Sequence, residues 1–351
     1  MSHSHGKDPA SNQSSEHQIL GIDFGGTYTK IGLFNSNLVQ IVNTRKINTN
    51  PEQSPQLWSK RVLDFTKKNN WEFDFAGISA PSAINYEGIM LNPPNLQHQS
   101  WNGCKLADEF LHITDRNAVI ANDGDCASYF AHRAHFKEQS GNKTSCFRGI
   151  GTGLAGAFNI RGEVLRGRSG VSSEAGHTRS AHEDLIPSFL EDTWSQRLNN
   201  KYIKDEELFC RTGTIHLFKN IAFLWPNHPI AQKVKEVGLN EASKLLLKFV
   251  KDRNQEATQI LRFQMQLLGR HLSNVDAFLH PDAFILGGGL FDERENDQRQ
   301  ITEMLKIVTD QYEKERHPQS IEPAEICIAK LGNDAQLHGA AIYAKTFFEE
   351  K

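Results

Sequence analysis

The chain has 351 residues, of which 38% are hydrophobic and 23% charged, with a formal net charge of -3. That length suits one large domain or two of ordinary size, and the near-neutral balance excludes the strongly basic face that nucleic-acid binding requires. A run of about 18 apolar residues, the mark of a membrane-spanning helix, does not occur, and the polar start "MSHSHGKDPASNQSSEHQ" has no apolar core for a secretory signal.

Residues 1–17 read as a disordered tail, and folding begins near Gln18. "QILGIDF" and "YTKIGLFN" are strand-like runs joined by Gly25-Gly26-Thr27, which predicts a β-hairpin. "LVQIVNTRKI" supplies a third strand. "SPQLWSKRVLDFTKKN" sets Trp58, Val62 and Phe65 at helical spacing. "FAGISAP" reads as a buried strand stopped by Pro81, "NPPNLQHQSWNG" as loop, "KLADEFLHI" as helix and "NAVIAND" as strand. The second half repeats the plan: "KTSCFRGI", a turn at Gly151-Thr152-Gly153, "LAGAFNI", a turn at Arg161-Gly162, and "EVLRG". Helices are expected from 183 to 280; the clearest carries Leu261, Met265, Leu268, Leu272, Val275 and Leu279 as one apolar stripe. "PDAFILGGGL" is a buried strand running into glycines, and Asn333-Asp334 caps a last helix bearing Ala340, Ala341, Ala344 and Phe347.

The expected organisation is two α/β domains with a ligand cleft between them: a smaller one over 18–121 plus 337–351, and a larger one over 122–336. The five cysteines, at 104, 126, 146, 210 and 327, are odd in number and irregularly spaced. That argues for a reducing, cytoplasmic setting over a disulfide framework. C-x-x-C does not occur, which excludes a cysteine zinc knuckle.

"GIGTGLAGAFNIRG" contains a formal G-x-G-x-x-G, with Glu174 following 18 positions after Gly156. On paper that is a dinucleotide fingerprint. Its mechanism needs a helix opening at the glycines, so that the helix N-terminus meets the pyrophosphate. Here the chain continues as strand, turn, strand, so the fingerprint loses its mechanism. A P-loop, G-x-x-x-x-G-K-[ST], is absent as well. One reading leaves the glycines to serve backbone turns alone. The other notes three clusters at strand ends: 25–27, 151–153 and Gly287-Gly288-Gly289. Facing turns of that kind can present backbone N–H groups to a polyphosphate.

The carboxylates carry paired readings too. Asp23 lies beside the first turn, where phosphate would be repelled unless a cation intervened. That suggests Mg²⁺ held through water; the alternative is a turn-forming Asp. Asn122-Asp123 end an apolar strand, where Asp123 suits a general base or a helix N-cap. Glu174 and His177 could both bond sugar hydroxyls, or His177 could be an ordinary surface residue.

In order along the chain stand "GIDFGGTYTKIGLF", "LNPPNL…WNG", "ANDGDCAS", "GIGTGLAGAFNIRGEVLRGRSGVSSEAGH", "LEDTWSQRL", "LHPDAFILGGGL" and "LGNDAQLHGAA". Together they resemble the ROK family of sugar kinases and sugar-responsive repressors, over about residues 18 to 348. The resemblance implies two actin-like ATPase (ribonuclease H-like) domains with a central cleft. It implies ATP and Mg²⁺ as cofactors, a hexose as substrate, a cytoplasmic homodimer, and neither nucleic acid nor membrane as partner. By the same resemblance Gly25, Gly26 and Thr27 form the first phosphate turn and Gly151, Thr152 and Gly153 the second. Gly287, Gly288 and Gly289 lie on the adenosine side. Asp123 is similar to the catalytic base, and Asn122, Glu174, His177 and Glu191 match sugar-holding positions.

The sequence departs from the family pattern in one segment. The residues between His177 and Glu191, "TRSAHEDLIPSFL", contain no Cys where family kinases commonly carry a zinc motif. The expectation is no zinc, with packing by Leu185, Ile186, Phe189 and Leu190 in its place. Zinc-lacking relatives include polyphosphate-using glucokinases, so ATP and polyphosphate both stay open as donors. Ser82 stands after Pro81 where the family often has Gly, which touches the adjoining sugar contact. Only about 17 residues precede the first strand, too few for the helix-turn-helix of family regulators.

Overall fold

Ile19, Leu20 and Ile22 are fully buried, and almost every residue of β1 (Ile19–Phe24) faces protein on both sides. That burial is the mark of a strand in mid-sheet, and its apolar run supplies it. The computed structural model describes residues 17–94, 96–171, 174–180, 184–187, 189, 203–294, 296–318, 322–330, 332 and 334–349. It divides into two units, one taking in residues up to Asn122 and from Ala340, the other Asp123–Gly339.

In the first unit β1 pairs antiparallel with β2 (Tyr28–Phe34), which pairs with β3 (Gln40–Asn48). On its other side β1 runs parallel to β4 (Phe75–Ala80), and β4 to β7 (Asn117–Asn122), giving the order β3-β2-β1-β4-β7. A small hairpin, β5 (Ala83–Ile84) with β6 (Met90–Leu91), follows β4. Helix α1 (Pro55–Lys68) starts with Ser54 accepting the Leu57 N–H, with Pro55 in the first turn where its missing N–H costs nothing. With α2 (Leu106–Thr114) it covers the sheet through Trp58, Val62, Leu106 and Phe110.

The second unit opens with α3 (Asp123–Phe136) and repeats the sheet plan. Strands β8 (Thr144–Ile150), β9 (Leu154–Ile160) and β10 (Glu163–Val164) form an antiparallel meander. β8 runs parallel to β11 (Ala283–Gly287), and β11 to β12 (Glu325–Ile328), in the order β10-β9-β8-β11-β12. Among the described residues the helices that follow are α4 (Glu206–Phe209), α5 (Arg211–Leu224), α6 (Pro229–Ser243), α7 (Leu246–Lys251), α8 (Gln255–Leu279) and α9 (Gln298–Glu315). α8 buries Leu261, Met265, Leu268 and Leu272 of the expected stripe in the main core. α10 (Ala335–Glu349) closes the chain; Asn333, expected to cap it, lies outside the described residues. Among the described residues, α helices long and apolar enough to cross a membrane are absent.

Candidate active site

In open α/β sheets, ligands gather outside the carboxyl ends of the parallel strands. The register of the first sheet puts Asp23 in line with Ser79, and Ser79 with Ala121, so Asn122 lies one residue beyond on the same edge. The Asn122 amide donates to the Ser82 carbonyl at 3.1 Å. The Ser82 hydroxyl is itself spent on Leu91, whose N–H and carbonyl each lie 3.1 Å from it. Ser82 is buried and staples the β5–β6 hairpin.

The turn between β1 and β2 is tightly braced. Gly25 donates its N–H to the Tyr28 carbonyl at 3.1 Å, and the Thr49 hydroxyl donates to the Gly25 carbonyl at 2.6 Å. Thr49 N–H reaches Thr27 O at 3.0 Å. Behind them, buried Thr29 bonds Thr49 at 3.0 Å and receives the Trp58 indole N–H at 3.0 Å. Asp23, which the sequence offers to Mg²⁺, pairs across the hairpin with Lys30 at 3.2 Å. A carboxylate beside this turn therefore already has a cation partner in Lys30.

The second unit brings two of the three glycine clusters together. Gly288 takes φ +87°, a left-handed backbone that a side chain would strain, and a Cβ there would collide with the Ile150 backbone. The end of β11 thus packs directly on the end of β8. Beside them opens a pocket of about 360 Å³ lined by Ile150, Gly151, Thr152, Arg211, Gln264 and Gly289, among others. That volume falls in the range of small-molecule sites. Gly151 N–H closes the turn on Gly153 O at 3.0 Å. Cys210 lies on the pocket wall, where burial, then Glu206 and Asp205, hold its thiol well above the usual value, so it is a neutral packing group.

The remaining glycines of "GTGLAG" make room. A Cβ on Gly153 would stand 2.9 Å from a Glu206 carboxylate oxygen, and one on Gly156 would stand 2.7 Å from the Arg148 guanidinium. Neither role involves a cofactor ribose, and β9 runs straight through Gly156 with no helix opening there.

Asp123 is the first residue of α3, where its carboxylate accepts the Gly124 N–H at 2.8 Å. Glu174 precedes and His177 ends a single 3-10 turn (Ala175–His177), and both are exposed. His177 lies 3.9 Å from the Glu206 carboxylate and 3.3 Å from the Lys204 amine. Glu191, His182, Glu183 and Leu190 fall outside the described residues. Leu185, Ile186 and Phe189 pack against the main core.

The sequence reading missed what holds the Glu174–His177 loop. Just after it, Thr178 and Ser180 bond to Asp205, which is fully buried. The Thr178 and Ser180 hydroxyls reach Asp205 Oδ2 at 2.7 and 3.1 Å, and Ser180 N–H reaches Oδ1 at 2.7 Å. His271 of α8 reaches the same Oδ2 through Nδ1 at 2.9 Å, and its Nε2 accepts from Arg148 Nε at 3.0 Å. Arg148 can only donate, so Nε2 is the acceptor and Nδ1 carries the proton. Burial, then the Arg148 charge, hold His271 below its ordinary pKa, so it is a neutral link between a buried cation and a buried anion. Burial alone would raise Asp205, but its hydrogen bonds from His271, Thr178 and Ser180 outweigh that and lower it. The available signal was His271, one of the polar residues on the buried side of an apolar helix.

Among the described residues, His135, Glu325 and Cys327 are close enough to share an ion. None of them belongs to the constellation above.

Known proteins resemble this chain along nearly its whole length. The model of the ROK family matches residues 19–347. A glucokinase of Halalkalibacterium halodurans is 23% identical over 339 residues, covering 94% of this chain and 96% of the relative. An N-acetylmannosamine kinase of Vibrio cholerae is 26% identical over 280 residues, covering 78% and 84%. The crystal structure of a ROK family glucokinase from Streptomyces griseus, in complex with glucose and AMPPNP, superposes with a TM-score of 0.68 at 21% identity, covering 94% of this chain and 99% of that one. The fold is that of the actin-like ATPases, with its sheet plan present once in each unit.

Proposed function

Because the chain belongs to the ROK family, we propose that it is an ATP-dependent sugar kinase, with phosphorylation of glucose to glucose 6-phosphate as its reaction. The observation that carries the nucleotide side is the single pocket lined by Gly151, Thr152 and Gly289 together. Phosphoryl transfer asks a protein chiefly for positioning and charge stabilisation. The braced turn at Gly25–Thr27 and the one at Gly151–Gly153 are rigid enough for that. Mg²⁺, when bound near Asp23, would neutralise developing phosphate charge. Asn122, Glu174, His177 and Glu191 would hold the sugar hydroxyls. Asp123 would take the proton of the attacking hydroxyl as its oxygen bonds the terminal phosphorus and the bridging P–O bond breaks, releasing ADP. The protein works in the cytoplasm as a homodimer on this reading.

An ADP-release assay over a hexose and N-acetylhexosamine panel, with ATP and polyphosphate compared as donors, tests the proposal. Turnover with glucose and ATP is the expected result. Preference for an N-acetylhexosamine or for polyphosphate would move the assignment within the family. Sugar binding without turnover on any member would make it a sugar-sensing regulator.

Metal content gives a separate prediction. The residues after His177 hold no thiolate set, and Thr178 and Ser180 are tied down by Asp205 instead. Elemental analysis of the purified protein is expected to find zinc far below one ion per chain. Stoichiometric zinc retained through dialysis would overturn this.

A further inference from the structure

Arg211 opens α5, and its backbone is locked to the second glycine turn. Its N–H donates to Gly151 O at 3.0 Å, and the next residue, Thr212, donates both N–H and hydroxyl to Thr152 O at 3.1 and 2.7 Å. The side chain turns to the same place: one guanidinium nitrogen donates to the Thr152 hydroxyl. The Arg211 Nε, however, is buried and has no hydrogen-bond partner among the described residues. Arg211 also forms no ion pair among them. Lys244, another cation lining the pocket, is paired with Glu241 at 2.7 Å.

A buried donor left without an acceptor carries its full desolvation penalty, and such a group calls for an explanation. A guanidinium presents its donors in a planar fork that matches phosphate oxygens two at a time. This fork borders a pocket of nucleotide size at the turn where a phosphate chain would leave it.

We propose that Arg211 binds the phosphate chain of the phosphoryl donor, its guanidinium engaging the phosphates beside the Gly151–Gly153 turn while the pocket takes the nucleoside. This rests on the kinase reading. It names a residue that touches substrate and makes the donor site selective for a phosphate chain over the bare nucleoside.

Calorimetric titration of the full chain with adenosine, ATP and tripolyphosphate, for wild type, Arg211→Gln and Arg211→Lys, tests it. Arg211→Gln is expected to weaken ATP and tripolyphosphate about 10- to 100-fold, the worth of a charge-assisted bond. Adenosine affinity should hold. Arg211→Lys should recover part of the loss, since it restores charge without the fork. In turnover, KM for the donor rises while KM for the sugar stays. An equal loss for adenosine and ATP would mean that Arg211 only props the pocket, and unchanged ATP affinity would remove it from the site; either overturns the proposal. If wild type binds ATP but turns over no sugar, the kinase reading fails while the Arg211 comparison still stands. A folded wild type that binds no phosphate ligand overturns both.

Discussion

Asp123→Asn is expected to lower kcat about 10²–10⁴-fold, the usual worth of a general base, with sugar affinity nearly unchanged. The substitution isolates the chemistry because of how Asp123 sits. Its carboxylate accepts the Gly124 N–H at 2.8 Å in the first turn of α3. An asparagine oxygen can accept the same bond, so the start of the helix survives. The amide cannot take a proton from a hydroxyl near neutral pH. Asn122, next along the chain, is fixed separately by its bond to Ser82 O and should hold its place. The check is a pair of measurements on one preparation: sugar Kd by calorimetry and kcat by ADP release. A large loss of kcat at constant Kd supports the base. Wild-type turnover would remove Asp123 from that role, and loss of sugar binding with an unchanged melting temperature would make it a binding residue first.

The strand–turn–strand plan of both units was legible in the sequence because its signals are local. β1 and β4 are short apolar runs, and Gly25-Gly26-Thr27 and Gly151-Thr152-Gly153 sit at the junctions. Several elements went unread, among them α9 and β12. α9 hides its stripe of Ile301, Met304, Val308 and Tyr312 among charges, with Gln311 on the buried side. β12 is only four residues long and starts with an exposed Glu. The glycine clusters, Asp123 and the Glu174–His177 pair could be named from motif order. Arg211 could not, since its partner Thr152 lies 59 residues away. Nor could the Asp205–His271–Arg148 chain, whose links span 66 and 123 residues. Hydrogen bonds between distant segments leave no periodic trace. What remains visible is an oddly polar residue at an apolar position, and only the fold says what it meets.

That buried chain carries the largest stability effect expected. Asp205→Asn turns one acceptor into a donor where three donors converge on Oδ2 and another on Oδ1. It also leaves the buried Arg148 charge without its counter-ion. Breaking a buried pair from one side costs about 3–5 kcal/mol, which for a unit of this size lowers Tm on the order of 10 °C. Asp184→Asn is the contrasting control. Asp184 pairs with Arg270 at 2.6 Å but is 63% exposed, and pairs of that kind contribute about 1 kcal/mol or less. The loop carrying Glu174 and His177 is anchored through Thr178 and Ser180, so Asp205→Asn should also raise the sugar KM. The acid response follows from the same groups. His271 is held below its ordinary value of 6.5, as are the buried His132 and the half-buried His338. Between each folded pKa and 6.5 the unfolded chain binds more protons, so stability is complete above about 6.5 and falls as the pH falls below it. Asp205, lowered below 3.8, adds stability that is lost further down, in the same direction. A second proton on His271 would turn Nε2 into a donor facing the Arg148 guanidinium. His271→Gln can keep both bonds, accepting from Arg148 and donating to Asp205, without titrating. Its melting temperature is expected to stay near wild type at pH 7.5 and to fall less than wild type by pH 5.5, whereas His271→Leu loses stability at both. Equal acid slopes for wild type and His271→Gln would show that protonation of His271 does not govern the response.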